Sequence, residues 1–374
     1  MGDIFDYLEW RGDLSADSVP LCEADYLVIG CFSYFPFDDI VPVEMTTMIR
    51  VEDAVRRVIE LCGPDGDGRI YHLKEDRQLA EKLMECPRFS KLEMTHFVNI
   101  IDYEKEEQFA AMTVILPNGE PLVVYRGTDR NLVGWKEDLN MAFNEVVPSQ
   151  SDALKYLEEV AAAFGGKIRV CGHSKGGNLA MYASAYCCED VQNRISEIWN
   201  LDGPGFLKEC GIEPEFEHIA GKIRFYVPQL SVVGMLFESV GEHQVVRSDG
   251  KGFWQHSLYT WKLRRGCLLT EPELAKTGRR FNLILKQWLL GLPYEKRARL
   301  VEGVYGVVNA AGASRVEDFT TFKTKFNMLI SLGKMDDDTK SLLGEAIKIF
   351  YQAIKTVSRQ EKEQKKLLDT TGKQ

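Results

Sequence analysis

Ser174 stands at the centre of Val170-Cys171-Gly172-His173-Ser174-Lys175-Gly176-Gly177-Asn178, with a short, β-rich apolar run before it and a long Ala-rich run after it. A Gly-x-Ser-x-Gly pattern between two such runs sets its serine on a strand-to-helix turn, the geometry that exposes a nucleophile. A side chain at Gly172 or Gly176 would collide with the neighbouring strand or helix. If the helix begins at Ser174, the Lys175 backbone N–H points toward charge developing beside the hydroxyl, helped by the positive end of the helix dipole. That is half an oxyanion hole. The bland alternative is a glycine-rich turn carrying an incidental serine, and the agreement of strand, helix and glycines speaks against it.

A serine hydroxyl is a weak nucleophile at neutral pH, so it needs an imidazole in reach and a carboxylate to hold that ring. Six histidines are available. His173 is inside the elbow, with its side chain expected to point away from the site; His72 and His96 precede the sheet core; His218 sits in an acidic loop; His243 precedes a strand. His256, in Phe253-Trp254-Gln255-His256-Ser257, follows the last strand and gives the chain order Ser, acid, His. Asp202 is the first choice for the acid, because it directly follows the strand after the elbow helix and so emerges at a carboxyl strand end. Asp249 in a Ser-Asp-Gly-Lys-Gly turn, Glu238, or no acid at all stay open, and aspartate is common in turns for its own reasons.

These groups need a scaffold, and the pattern around them is that of an α/β protein. Residues 1–20 read as an N-terminal arm, 25–37 as a buried helix or a strand with helix the first choice, and 52–62 as an amphipathic helix with Val51, Ala54, Val55, Val58, Ile59 and Cys62 on one stripe. Asp65-Gly66-Asp67-Gly68 reads as a plain turn, since the third acidic position of a calcium loop is Arg69. Strands are expected at 97–101, 109–116 and 121–125, with a hairpin turn at Pro117-Asn118-Gly119-Glu120. A helix over 152–164, a strand over 167–171, the elbow helix, and strands over 195–201 and 223–227 follow, with a hairpin from 244–248 turning at 249–252. Strands alternating with helices predict a mostly parallel central sheet flanked by helices, with its site at the carboxyl ends of the strands.

Two parts are expected, 1–267 carrying the chemistry and 268–374 as a helical C-terminal appendage. In the second, Thr270-x-x-Glu273 and Ser314-x-x-Glu317 resemble capping boxes, Pro272 suits a first turn, and Gly291 with Pro293 ends one helix and opens another. Leu343, Ile347, Phe350, Ile354 and Val357 form a stripe expected to be buried against the parent domain. The appendage has no histidine, so it supplies no base; shaping the cleft or a homo-oligomer interface are the roles left to it.

The chain of 374 residues is 45% hydrophobic and 27% charged, enough for a sizeable core. A net charge of -10 disfavours nucleic acid and anionic membrane surfaces as partners. Nine cysteines without a Cys-x-x-Cys pair or a His/Cys cluster indicate neither zinc nor a disulfide framework. No metal and no cofactor are expected. With an acidic N-terminus, no export signal, and no apolar run of about 18 residues, no stable membrane insertion is expected and the location reads as cytoplasmic.

Val123-Val124-Tyr125-Arg126-Gly127-Thr128-Asp129, followed by Gly134-Trp135-x-x-Asp138-Leu139, resembles the Arg-Gly-Thr and Trp-x-x-Asp-Leu segment of class 3 (fungal-type) lipases, and Gly172 to Gly176 resembles their elbow. The resemblance implies an α/β-hydrolase-like fold, a second oxyanion donor at Thr128, and a lid formed by the region 129–139, with Leu132, Val133 and Trp135 facing an acyl chain. Gly-His-Ser-Lys-Gly-Gly-Asn, with Tyr7-Leu8-x-Trp10-Arg11-Gly12-Asp13, also resembles a group of bacterial lipase-like α/β-hydrolase proteins. Class 3 lipases place their acid where this chain has Gln229-Leu230-Ser231-Val232-Val233-Gly234, which holds no carboxylate. The surroundings of Asp202 instead resemble the Gly-Leu-Asp-Pro-Ala of pancreatic-type lipases. The expected function is a serine hydrolase of carboxylic esters, acting on a small acyl ester or a lipid. Acyl transfer, thioester or peptide cleavage by the same groups, and a fold kept for binding without turnover, are the alternatives.

Overall fold

The computed structural model describes residues 2–63, 73–207, 213–238, 240–310 and 336–371, together with 327, 330 and 333. The turn at 65–68, His72, and the Ser314/Glu317 pattern lie outside these residues. The strands are β1 (Ile49–Arg50), β2 (Glu93–Asp102), β3 (Glu107–Ile115), β4 (Pro121–Tyr125), β5 (Ile168–His173), β6 (Ile195–Leu201), β7 (Ile223–Pro228), β8 (His243–Val246), β9 (Leu263–Arg264), β10 (Cys267–Leu268) and β11 (Thr270–Glu271). A 9-stranded mixed sheet has the order β1-β2-β3-β4-β5-β6-β7-β8-β11, and β9 pairs with β10 separately. From β4 to β8 every pairing is parallel. The strands before β4 and the edge strand β11 are antiparallel.

The two-residue period of the central strands decides which layer lies on which face. Leu122, Val124, Cys171, Trp199, Leu201 and Tyr226 join one core with the N-terminal helices Glu23–Phe32 and Val51–Cys62. Val123, Tyr125, Val170, Ile198, Phe225 and Val227 join the other, under the helix Pro148–Ala163 and the elbow helix Lys175–Tyr186. Covered on both faces, these strands can be apolar throughout, as parallel strands usually are. Strand ends and connecting loops are all that is left to carry polar chemistry.

The N-terminal layer is locked by a buried ion pair. Asp25 and Arg88 meet at 2.5 Å with side chains at 0% and 1% exposure. Tyr7 of the N-terminal motif donates its hydroxyl to the same carboxylate at 2.7 Å, and Arg88 also caps the carbonyls of Val19 and Pro20. An unpaired buried charge costs about 3–5 kcal/mol, so the three side chains are interdependent.

Three expectations are corrected. Beside them, a helix, Leu73–Glu85, occupies a stretch for which no element was read, and the lid-like stretch carries the helix Leu132–Asn140. β8 does not lead into a tight hairpin: residues 249–252 run into a 3-10 turn, Gly252–His256, and the return leg comes where Ser248 bridges Trp261. Thr270 is not a helix cap, because it and Glu271 satisfy their backbone by pairing with Val246 and Val245 at the sheet edge; the helix begins at Lys276. The stripe on the C-terminal helix Asp337–Thr371 packs on the C-terminal helices and their linker instead of on the parent domain: Leu342, Ala346, Ala353 and Val357 are buried against Leu292, Leu300 and Ile284, Leu343, Phe350 and Ile354 are half-buried beside them, and Ile347 is 62% exposed.

Candidate active site

At the end of β5 the chain turns so sharply that Ser174 adopts φ 59°, a conformation costly for a residue with a side chain. A Cβ at Gly172 would strike the Gly176 carbonyl, and one at Gly176 would strike the Tyr125 carbonyl, so neither position tolerates even alanine without moving backbone. Ser174 N–H donates to the Leu201 carbonyl at 3.0 Å, and Gly177 N–H to the Ser174 carbonyl at 2.8 Å, which ties the turn to β6 and to its own helix. Asn178 extends that bracing. Its amide donates to the carbonyls of Pro204 and Gly205 and accepts from Gln150, holding the loop after β6 against the elbow helix.

That loop begins with Asp202, fully buried, at φ 54°. Its Oδ2 accepts from His256 Nδ1 at 2.7 Å, across 54 residues of chain. Oδ1 accepts from the Ser231 hydroxyl at 2.5 Å and the Gly234 N–H at 3.1 Å. The segment after β7, which carries the acid in class 3 lipases, here supplies donors to a carboxylate on the neighbouring strand. With Nδ1–H given to Asp202, a neutral His256 presents Nε2 as an acceptor. Asp249 is elsewhere: it pairs with Lys262 at 2.7 Å and its side chain is 67% exposed. Glu238 pairs with Lys286 on the surface.

His173 corrects an expectation. Its side chain does not point away but stands beside His256, ring centroids 4.6 Å apart, with Nε2 2.9 Å from the His256 carbonyl oxygen and Nδ1 2.9 Å from the Tyr34 hydroxyl. His96 lies apart, bonded to the Val43 carbonyl and stacked on Tyr156, and His243 packs edge-on against Phe225.

Gly127 and Thr128 run against the elbow. A Cβ on Gly127 would meet the Tyr34 hydroxyl, the His173 carbonyl and Ser174 Cβ, so only glycine lets this strand end pass. Buried Thr128 donates its hydroxyl to Asp138 Oδ2 at 2.7 Å. Burial pushes the Asp138 carboxyl up to about 6, against the pull of Lys175 and the Thr128 hydrogen bond.

Sequence reasoning assigned Lys175 a backbone role and missed its side chain. Its ammonium is buried and bonded to Glu137 Oε2 and the Gln108 carbonyl, both at 2.6 Å. Glu137, at 0% exposure, also accepts from the backbone N–H groups of Gln108 and Ser149. The helix Leu132–Asn140 is thereby fastened to the elbow. Leu132 and Val133 are buried in it, whereas Trp135, 36% exposed, and Leu139 face outward. No signal short of the i,i+1 pair Glu137-Asp138 in the lid-like motif pointed to this contact.

A cavity of 500 Å³ opens at the opposite, amino end of β8, lined by His243, Glu271 and Arg279 among others, and contains none of these groups. Among the described residues no cluster of three or more His, Cys, Asp or Glu could hold a metal ion, and no helix is long and apolar enough to cross a membrane. A search of curated proteins finds no match to this chain. The family model described as Mbeg1-like, a lipase-like family, matches residues 83–306, a span that runs from before β2 to the helix Tyr294–Ala310 and holds Thr128, Ser174, Asp202 and His256. That span is more than half of the 374 residues, and the chain belongs to the Mbeg1-like family.

Proposed function

We propose that this protein is a serine hydrolase of the α/β-hydrolase kind, cleaving carboxylic esters through an acyl-enzyme on Ser174. The observation that carries the reading is the Asp202–His256 hydrogen bond at the carboxyl ends of the same parallel strands that present the elbow serine. In this mechanism His256 Nε2 takes the Ser174 proton as the hydroxyl oxygen attacks the ester carbonyl. The tetrahedral oxyanion is met by the backbone N–H groups of Lys175 and Thr128. Collapse expels the alcohol, which takes the proton from His256; a water then gives its proton to the same nitrogen as it attacks the acyl carbon, and the second collapse breaks the bond to Ser174 Oγ, which takes that proton back as the acid leaves. Asp202 keeps the ring in the working tautomer throughout.

The substrate class proposed is a small acyl ester or a lipid, with the helix Leu132–Asn140 as a cleft wall and Trp135 at its rim. All the catalytic groups fall within 1–267, the proposed catalytic part, and a reducing, cytoplasmic setting suits the eight cysteines of the described residues, which are all free. The missing carboxylate after Gln229 favoured a binding protein without turnover, and it loses that force once Ser231 and Gly234 serve Asp202. The test is reaction with a fluorophosphonate and turnover of a p-nitrophenyl ester. Wild type is expected to label and turn over, and Ser174→Ala to do neither at an unchanged thermal midpoint; a Ser174→Ala protein as active as wild type would overturn the assignment.

A further inference from the structure

We propose that Tyr34 and His173 form a two-bond clamp on the main chain of His256, making the elbow histidine a positioning residue for the general base. The inference rests on the hydrolase reading. A carbonyl oxygen can only accept, so His173 Nε2 carries the proton and donates to the His256 carbonyl at 2.9 Å. In the neutral ring Nδ1 is then an acceptor, and the Tyr34 hydroxyl donates to it at 2.9 Å. Donor and acceptor alternate along Tyr34 O–H, His173 and His256 C=O, so each bond fixes the sense of the next.

The clamp is needed because of where His256 sits. It ends the 3-10 turn Gly252–His256, whose Phe253 and Trp254 are 51% and 66% exposed and bring little burial to hold the turn in place. Asp202 fixes the imidazole, but a ring bonded through one nitrogen can still swing if its backbone shifts. Gln255 on one side is anchored, its Oε1 accepting from Leu230 N–H and its carbonyl from Trp261 Nε1. His173 supplies the second anchor, and it does so from the residue next to the nucleophile. Base and nucleophile are therefore tied to one stretch of backbone, and Gly127 carries the oxyanion strand past the same point. Displacement of a catalytic group by about 1 Å costs about 10²-fold in rate, which is the scale on which such a tie matters. Tyr34 follows the helix Glu23–Phe32 and lies outside the family-matched residues 83–306, so the N-terminal layer takes part in holding the base.

The experiment compares wild type, Tyr34→Phe, His173→Leu and His173→Gln by ester turnover, thermal midpoint and amide hydrogen exchange of residues 252–257. His173→Leu should lower kcat by about 10²-fold with KM little changed, and speed exchange in 252–257. Tyr34→Phe should lower kcat about tenfold, one hydrogen bond's worth. His173→Gln, which keeps a donor near the position of Nε2, should recover most of both losses at a thermal midpoint equal to that of His173→Leu. Wild-type kcat and wild-type exchange in His173→Leu would overturn the clamp while leaving the hydrolase reading intact. A wild type that neither labels nor turns over removes the hydrolase reading, and with it a positioning role for His173; the exchange data then report only whether the bonds hold the turn.

Discussion

Ser174 is fixed by main chain packed closely on main chain, whereas His256 and Asp202 are held mostly by hydrogen bonds from several separate segments. Around the proposed nucleophile, Gly127, Gly172 and Gly176 let three backbones approach so closely that an added methyl group would strike a carbonyl or Ser174 itself. Around the proposed base, Ser231, His173 and Gln255 each contribute a side-chain hydrogen bond, and Gly234 adds a main-chain one at a position where a Cβ would strike Asp202 Oδ1. The first construction is stiff and fails as a unit. The second can be taken apart one bond at a time in a folded protein, which is why substitutions there should separate activity from stability.

The sharpest break in the comparison is Asp202→Asn. An amide can no longer accept from His256 Nδ1 and serve Ser231 and Gly234 as the carboxylate does, so turnover should fall by up to about 10⁴-fold, the cost of a wrong histidine tautomer, with substrate affinity little changed. Asp249→Asn, on the surface beside Lys262, should leave turnover as it was. Near-normal turnover in the first and loss in the second would reverse the roles assigned to the two aspartates.

Next in size is the buried ion pair behind the elbow. Glu137→Gln leaves the Lys175 ammonium buried without its counter-charge and should cost about 3–5 kcal/mol of stability, read as a lowered denaturation midpoint. Adding Lys175→Met to Glu137→Gln removes the unpaired charge while the amide carbonyl introduced at position 137 can still accept from the Gln108 or the Ser149 N–H group, and it should recover a large part of that loss. Additive losses in the double variant would mean that the pair is not the reason for the cost.

A smaller, pH-dependent effect comes from Asp138. Unfolded, its carboxyl ionises near 4; in the fold burial raises it to about 6. Between those values the native state holds the extra proton, so this group makes stability fall as pH rises from about 4 to 6, and the penalty is complete above 6. Asp138→Asn, which keeps an acceptor for Thr128, should flatten that part of the stability profile. An unchanged slope between pH 4 and 6 would assign the titration to another group.

The smallest effect is expected at the rim. Trp135→Ala should raise KM for long-chain esters several-fold and leave short-chain turnover alone, because the ring is half outside and its helix is fastened through Glu137. Equal effects on both chain lengths would move the substrate away from this helix.

Much of the scaffold was legible because its causes are local. Strands alternating with helices predicted the mostly parallel sheet, Gly291 and Pro293 marked the break between two helices, and the glycines of 172–177 predicted the turn, since sterics over a few residues decide it. The helix Leu132–Asn140 and the edge strand β11 were not legible. Their backbone is committed by partners far along the chain: Glu137 by Lys175, Thr270 and Glu271 by β8. The same division runs through the site. Sequence by itself determined a strained serine between glycines, with six histidines and several carboxylates as candidates. Only the tertiary structure decided that Asp202 meets His256, that Ser231 and Gly234 complete the carboxylate's bonds, and that His173 turns toward the base, because those bonds join segments whose approach no local pattern encodes.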